Sequence, residues 1–153
     1  MRVLGIDPGT GIVGFGVIEV SGVKKTMIDA GVIRTPAHQP TQERLATIYD
    51  ELRSIILENK PEVMVVEQLF FAKNVTTAMT VSQARGVILL LGEQQGLTLA
   101  EFTPLQIKQA ITGYGKADKK QVQEMVRIQL KLKETPQPDD CADALAAALT
   151  YVG

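Results

Sequence analysis

Four acidic residues stand at places where a chain can leave a carboxylate free to work. Asp7 closes an apolar run, RVLGID, and Pro8-Gly9-Thr10-Gly11 follows at once, so the backbone turns and leaves the acid at the end of a strand. Glu67 closes a second such run, EVMVVE, where a charge has to find water or a cation. Asp140 and Asp143 are spaced i, i+3 in the segment DDCADALAAAL, and that spacing puts both on one face of a helix within a turn. Each acid has a plainer reading on its own: Asp-Pro starts turns, Glu67 is the first solvated residue after a strand, and acids suit a helix N-terminus, with Asp139 as its N-cap. Drawn together, four carboxylates repel and raise one another's pKa, so cations have to compensate. Two Mg²⁺ ions offset four carboxylates and accept oxygen ligands throughout. A pair of such ions about 3.5–4 Å apart clamps the attacking and leaving oxygens of an in-line phosphoryl displacement. The single cysteine, Cys141, excludes an internal disulfide and a cysteine-cage zinc site.

The elements that must position these acids are legible from pattern. Arg2 to Asp7, Gly11 to Val20 and Thr26 to Arg34 read as three strands with tight connections, an antiparallel meander. From Thr41 to Asn59 the period becomes helical, with Leu45, Ile48, Leu52, Ile55 and Ile56 on one face and Pro61 beyond its end. A fourth strand, Glu62 to Glu67, leads to a small-residue helix over about Asn74 to Leu91 and a fifth strand, Leu97 to Phe102. Thr103-Pro-Leu-Gln106 and Asp118-Lys-Lys-Gln121 are capping-box patterns that open helices, and Asp139 begins the last one. The order βββαβαβαα is that of an α/β fold with a five-stranded mixed sheet. Strand one is expected at the centre with strand four parallel beside it. At 153 residues, one domain over 1–153 is expected. Neither a secretory leader nor an apolar run of the roughly 18 residues a membrane span needs is expected, and a cytoplasmic protein is the reading.

Net charge is -1, which taken alone argues against a polyanionic partner. The distribution reverses that: residues 108 to 133 carry Lys108, Lys116, Lys119, Lys120, Arg127, Lys131 and Lys133 against Asp118 and Glu124, so that stretch is +5 and the remainder -6. A solvated helix face is the plainer account of such a cluster. Gly9-Thr10-Gly11-Ile12-Val13-Gly14 has the spacing of a dinucleotide-binding fingerprint, but Phe15 to Val20 is β-branched and aromatic where that motif needs a helix. The glycines therefore belong to a hairpin. His38 lies in a proline-flanked loop and reads as a solvent-exposed residue.

GIDPGTGIVGFGVI, VVEQLFFAKN, SQARGVIL and PDDCADALAAAL, together covering essentially the whole chain, resemble the RuvC-type crossover junction endodeoxyribonucleases, resolvases of the ribonuclease-H-like superfamily. The resemblance implies that Asp7, Glu67, Asp140 and Asp143 are catalytic, metal-binding acids, with Asp7 and Glu67 helping to hold the cations that activate the attacking water. Some relatives have histidine where Asp140 stands, which leaves that position open between metal ligand and proton-handling group. Phe70 matches an aromatic that stacks on a base near the exchange point, while composition alone makes Phe70 and Phe71 core residues. Lys108 and Lys119 match DNA-contacting positions, with Lys120 able to substitute for Lys119. The implied activity is Mg²⁺-dependent hydrolysis, two ions per subunit with Mn²⁺ able to replace them. It acts on two opposed strands of a four-way junction and leaves 5′-phosphate and 3′-hydroxyl ends. Symmetric incision implies a homodimer, and branch-migration motor proteins are the implied partners. Two further readings remain: Asp7-Pro8-Gly9-Thr10 also resembles the phosphate loop of actin-like and sugar-kinase ATPases, and a junction-binding protein without catalysis would share the basic stretch.

Overall fold

A computed structural model of the chain describes residues 1–68 and 75–153. Its elements are β1 (Arg2–Asp7), β2 (Ile12–Ser21), β3 (Lys24–Arg34), α1 (Thr41–Asn59), β4 (Val63–Glu67), α2 (Val75–Gln94), β5 (Thr98–Phe102), α3 (Pro104–Thr112), α4 (Lys119–Gln129) and α5 (Asp139–Val152). Three helices follow β5, at the places that the two capping boxes and Asp139 mark in the sequence; the order βββαβαβαα counted only two of them.

The sheet order is β3-β2-β1-β4-β5. β1 and β2, and β2 and β3, are antiparallel, as a meander requires; β1 with β4 and β4 with β5 are parallel. Parallel neighbours need a crossover, which α1 and α2 supply. The fold is ribonuclease-H-like. Alternation along the strands divides the core in two. Val3, Val63 and Val65 face one side, where they meet Leu145, Ala148 and Leu149 of α5 with Ile107 of α3 and Val126 of α4. Leu4, Ile6, Met64 and Val66 face the other, against Ile48, Leu52 and Ile56 of α1 and Ala84, Ile88 and Leu91 of α2. Each fully buried aliphatic side chain contributes about 1.5–3 kcal/mol.

α5 lies unusually close to the sheet because glycines make room for it. A Cβ at Gly5 would collide with the Ala144 carbonyl, one at Gly14 with the Asp140 carbonyl, and one at Gly16 with the Leu145 side chain. Gly5 and Gly16 are register partners, and Gly14 is the partner of Asp7, so the three form a lane across β1 and β2. The alanines of α5 complete the contact from the other side, Ala144, Ala147 and Ala148 being fully buried.

Both predicted capping boxes form: Gln106 N donates to Thr103 Oγ1 at 3.1 Å, and Gln121 N to Asp118 Oδ1 at 2.8 Å. Asp139 is not the N-cap of α5. Pro138 holds that place without a side-chain cap, and Asp139 is the first helical residue, which frees its carboxylate for another partner. α2 is also long and apolar enough, by length and composition, to cross a membrane, where no such stretch was expected. Only Ala84, Ile88, Leu91 and Gly92 of it are buried, while Val75, Met79 and Leu90 are 72%, 59% and 53% exposed.

Candidate active site

Parallel pairing of β1 with β4 sets the first two acids side by side. Ile6 is the register partner of Val66, so the next residues, Asp7 and Glu67, leave neighbouring strands together at the same edge. α5 crosses that edge with its first turn, held down by Gly14, and presents Asp140 and Asp143. Carboxylate oxygens of Asp7, Asp140 and Asp143 all lie within 4.8 Å of one another. Glu67 joins through a hydrogen bond, with the Asp7 carboxyl as donor and the Glu67 carboxylate as acceptor. All four sequence-predicted acids are therefore gathered, three in a mutual cluster and the fourth through Asp7.

The electrostatics are those of uncompensated negative charge. Burial, then repulsion from Glu67, Asp143 and Asp140, pushes Asp7 from the ordinary 3.8 up to about 9. Burial also raises Glu67 and Asp143 adds to it, while the hydrogen bond from Asp7 and the charges of Lys119 and Lys108 pull part of the way back. Asp143 is raised by burial, with Lys119 opposing. A hard divalent cation bound by oxygen fits this cluster. The ligand atoms are close enough to share one, and its charge would offset the burial and repulsion that keep a proton on Asp7.

Lys119, in the first turn of α4, leans over the cluster. Its Nζ lies 3.6 Å from Asp139 Oδ2 and 3.5 Å from Asp143 Oδ2. Burial alone would lower its pKa, but Asp143 and Asp139 together hold the ammonium above its usual range. Lys108 of α3 is half-buried and near enough to act on Glu67. The neighbour Lys120 points elsewhere, lining a groove with Tyr114, Gln121 and Glu124, and makes no ion pair among the described residues. Lys119, not Lys120, is thus the lysine at the acids. Asp139 pairs with Lys119, a role that its capping reading hid. Phe70 and Phe71 lie outside the described residues. His38 is exposed, as expected, and Cys141 is a buried side chain whose thiol burial pushes up.

A ribonuclease-H-like sheet with a carboxylate cluster at the carboxyl ends of β1 and β4 defines a metal-dependent nuclease. The family model described as crossover junction endodeoxyribonuclease RuvC matches residues 3–151. The RuvC of Desulfitobacterium hafniense is 54% identical over 151 residues, which cover 99% of this chain and 92% of that protein. T. thermophilus RuvC, solved in complex with a Holliday junction substrate, superposes with a TM-score of 0.94 at 37% identity, covering 99% of this chain and 93% of that one. The yeast mitochondrial Holliday junction resolvase Ydc2, 16% identical over 97% of this chain and 76% of its own with a TM-score of 0.72, shares the fold. The chain belongs to the RuvC family of crossover junction endodeoxyribonucleases. The actin-like and purely junction-binding readings fall away with that assignment.

Proposed function

We propose that Asp7, Glu67, Asp140 and Asp143 hold two Mg²⁺ ions per subunit, with Mn²⁺ able to replace them, and that this centre cuts opposed strands of a four-way DNA junction. The observation that carries the reading is the cluster of Asp7, Asp140 and Asp143 oxygens within 4.8 Å, with Asp7 pushed up to about 9. Bound cations supply the charge that lowers the pKa of the attacking water and stabilises the departing oxygen. The chain's own residues do the rest. Asp7 and Glu67, fixed on adjacent parallel strands, set the positions of the ligand oxygens; Asp140 and Asp143, carried on α5, close the cluster from above the sheet. Lys119 and Lys108 place positive charge beside the acids and offset the backbone phosphates of the incoming strand. Water adds to phosphorus as the bond to the 3′-oxygen breaks, which leaves a 5′-phosphate and a 3′-hydroxyl.

A junction with two-fold symmetry is matched by a C2 homodimer with two such centres. The outward side of α2 supports that assembly, since Val75, Met79 and Leu90 are large apolar residues left exposed on one helix. Lys120, Phe70 and a branch-migration motor belong to the same reading as contacts beyond the cleavage centre, in a cytoplasmic protein.

The test is incubation with a synthetic mobile four-way junction in Mg²⁺ and in EDTA, beside Asp7→Asn. Symmetric nicks by the wild type, none with chelator, and binding without cutting by the variant are expected. Cleavage that persists in Asp7→Asn would remove Asp7 from the centre. At Asp140, Asp140→His separates the two open roles: retained cutting with a shifted pH profile fits proton handling, and loss of Mg²⁺ binding fits a ligand.

A further inference from the structure

The catalytic edge has a second pair of cations, on the side away from Lys108 and Lys119. β3 runs antiparallel to β2, so its carboxyl end comes out at the same edge as the carboxyl ends of β1 and β4. Arg34 is its last residue, paired in register with Ile12. Asp7 is level with Gly14 and, through it, with Val32, so Arg34 lies two strands to the side of Asp7 and two residues beyond it, about 12 Å away at about 4.8 Å between strands and about 3.4 Å per residue. Arg34 is exposed and close enough to Cys141 of α5 to favour its thiolate. The next residue, Thr35, is buried and turns to the opposite face, where α1 lies.

There Thr35 fixes a second arginine. Thr35 N donates to the Gly11 carbonyl at 3.0 Å, and Thr35 Oγ1 donates to the Thr10 carbonyl at 2.5 Å, so Thr35 is tied to the turn that follows Asp7. The same hydroxyl oxygen accepts from Arg44 Nε at 2.9 Å. Arg44 Nη2 comes within 3.3 Å of where a Cβ would stand on Gly11, so the guanidinium rests against a glycine of that turn. Only Nε of this half-buried guanidinium has a partner among the described residues; neither Arg34 nor Arg44 pairs with a carboxylate there. A guanidinium held by one nitrogen, with its other two left for an acceptor, has the donor fork that matches a phosphate.

We propose that Arg44, braced on the turn that follows Asp7, is a phosphate-binding point for the strand being cut, on the β3 side of the acids, with Arg34 at the end of β3 as a second. The proposal rests on the reading that DNA lies across this edge. The acids then stand between two cationic margins, Lys108 and Lys119 on one side and Arg34 and Arg44 on the other. A separation of about 12 Å corresponds to about three or four nucleotides at a rise of about 3.4 Å each, so Arg34 meets a phosphate a few positions from the cut. Arg44 is a positioning residue: it sets where the strand runs and does not touch the reacting atoms.

The experiment is binding of the full chain to a synthetic four-way junction in EDTA across a range of NaCl, with single-turnover cleavage in Mg²⁺ at saturating protein. Arg44→Ala is expected to bind about tenfold more weakly, as for loss of one charged hydrogen bond. The slope of log affinity against log salt should become shallower by about one per protomer engaged. Its cleavage rate at saturation should stay within a few-fold of wild type, and Arg44→Lys should recover most of the slope. Arg44→Gln keeps a donor for Thr35 without the charge and gives the same reading should the alanine variant melt early. An unchanged slope in Arg44→Gln, or a loss confined to the saturated rate and the melting temperature, would make Arg44 a brace for the turn and overturn the proposal. Wild-type protein that neither binds nor cuts the junction would instead sink the function it rests on, before any arginine variant is compared.

Discussion

Replacing Asp7 by asparagine should abolish cutting and yet stabilise the metal-free protein. The folded state holds Asp7 protonated up to about 9, whereas the unfolded chain releases that proton at about the ordinary 3.8. A group whose folded pKa is raised contributes its full stability below the unfolded value and loses it as pH climbs towards the folded one. At pH 7 the solution lies about three units above 3.8, and at about 1.4 kcal/mol per unit the cost of keeping that proton is about 4 kcal/mol. Asparagine carries no ionisable proton and offers its amide as a donor to Glu67, so the variant escapes most of that cost. Asp7 and Glu67 titrate as a pair, so part of that cost stays with Glu67 in the variant, and a gain of ~2 kcal/mol is expected. For a chain of this length ~2 kcal/mol raises the melting temperature by about 4–8 °C. The assay is thermal unfolding by circular dichroism in EDTA from pH 4 to pH 9. The gap between variant and wild type should be near zero at pH 4 and widen steadily to pH 9. A gap that does not change with pH, or a variant less stable than wild type at pH 8 in EDTA, would refute the account of Asp7 as a carboxyl kept neutral by its neighbours.

Millimolar Mg²⁺ should raise the melting temperature of the wild type at pH 8 and do little for Asp7→Asn, because only an intact cluster gains from the bound charge; a differential scan with and without EDTA reads it. Lys119→Ala should weaken junction binding and flatten its salt dependence by about one unit of slope, measured by fluorescence anisotropy. Gly14→Ala should cost about 1–3 kcal/mol by overpacking against the Asp140 carbonyl and should lose cleavage more severely than stability, since it lifts the turn that carries Asp140. Changing Met79 and Leu90 to glutamate should shift the protein towards monomer in sedimentation velocity; an unchanged mass would take α2 out of the dimer contact.

Much of this architecture is legible in the amino-acid sequence. The short apolar runs that end in Asp7 and Glu67 and the helical period of Thr41–Asn59 fix those elements to within a residue or two. The two capping boxes are local chemistry, so their sequence signatures survive folding intact. The convergence of the acids followed from a central β1 with a parallel β4, which the sheet order supplies. What escaped was non-local. Gly14 reads as a hairpin residue, and Gly5 and Gly16 carry no reading, because nothing in a single strand reveals that the three line up across two strands under a helix from the far end of the chain. Arg34 and Arg44 lie outside the basic stretch of 108 to 133, so a running charge sum passes over them. Asp139 reads as a cap because a proline N-cap, with no side chain to accept the first amides, carries no signature in sequence.

The lane of glycines under α5 ties catalysis to backbone packing. A helix seated against bare backbone has little slack: at Gly14 the Asp140 carbonyl, and at Gly5 the Ala144 carbonyl, rest on the strands, so main-chain contact sets the distance from the Asp140 turn to Asp7. Selection can then retune such a nuclease by swapping which acid or imidazole stands at a given position, but hardly by moving the positions. Descendants of this scaffold should differ in the identity of their ligands long before they differ in the spacing between them.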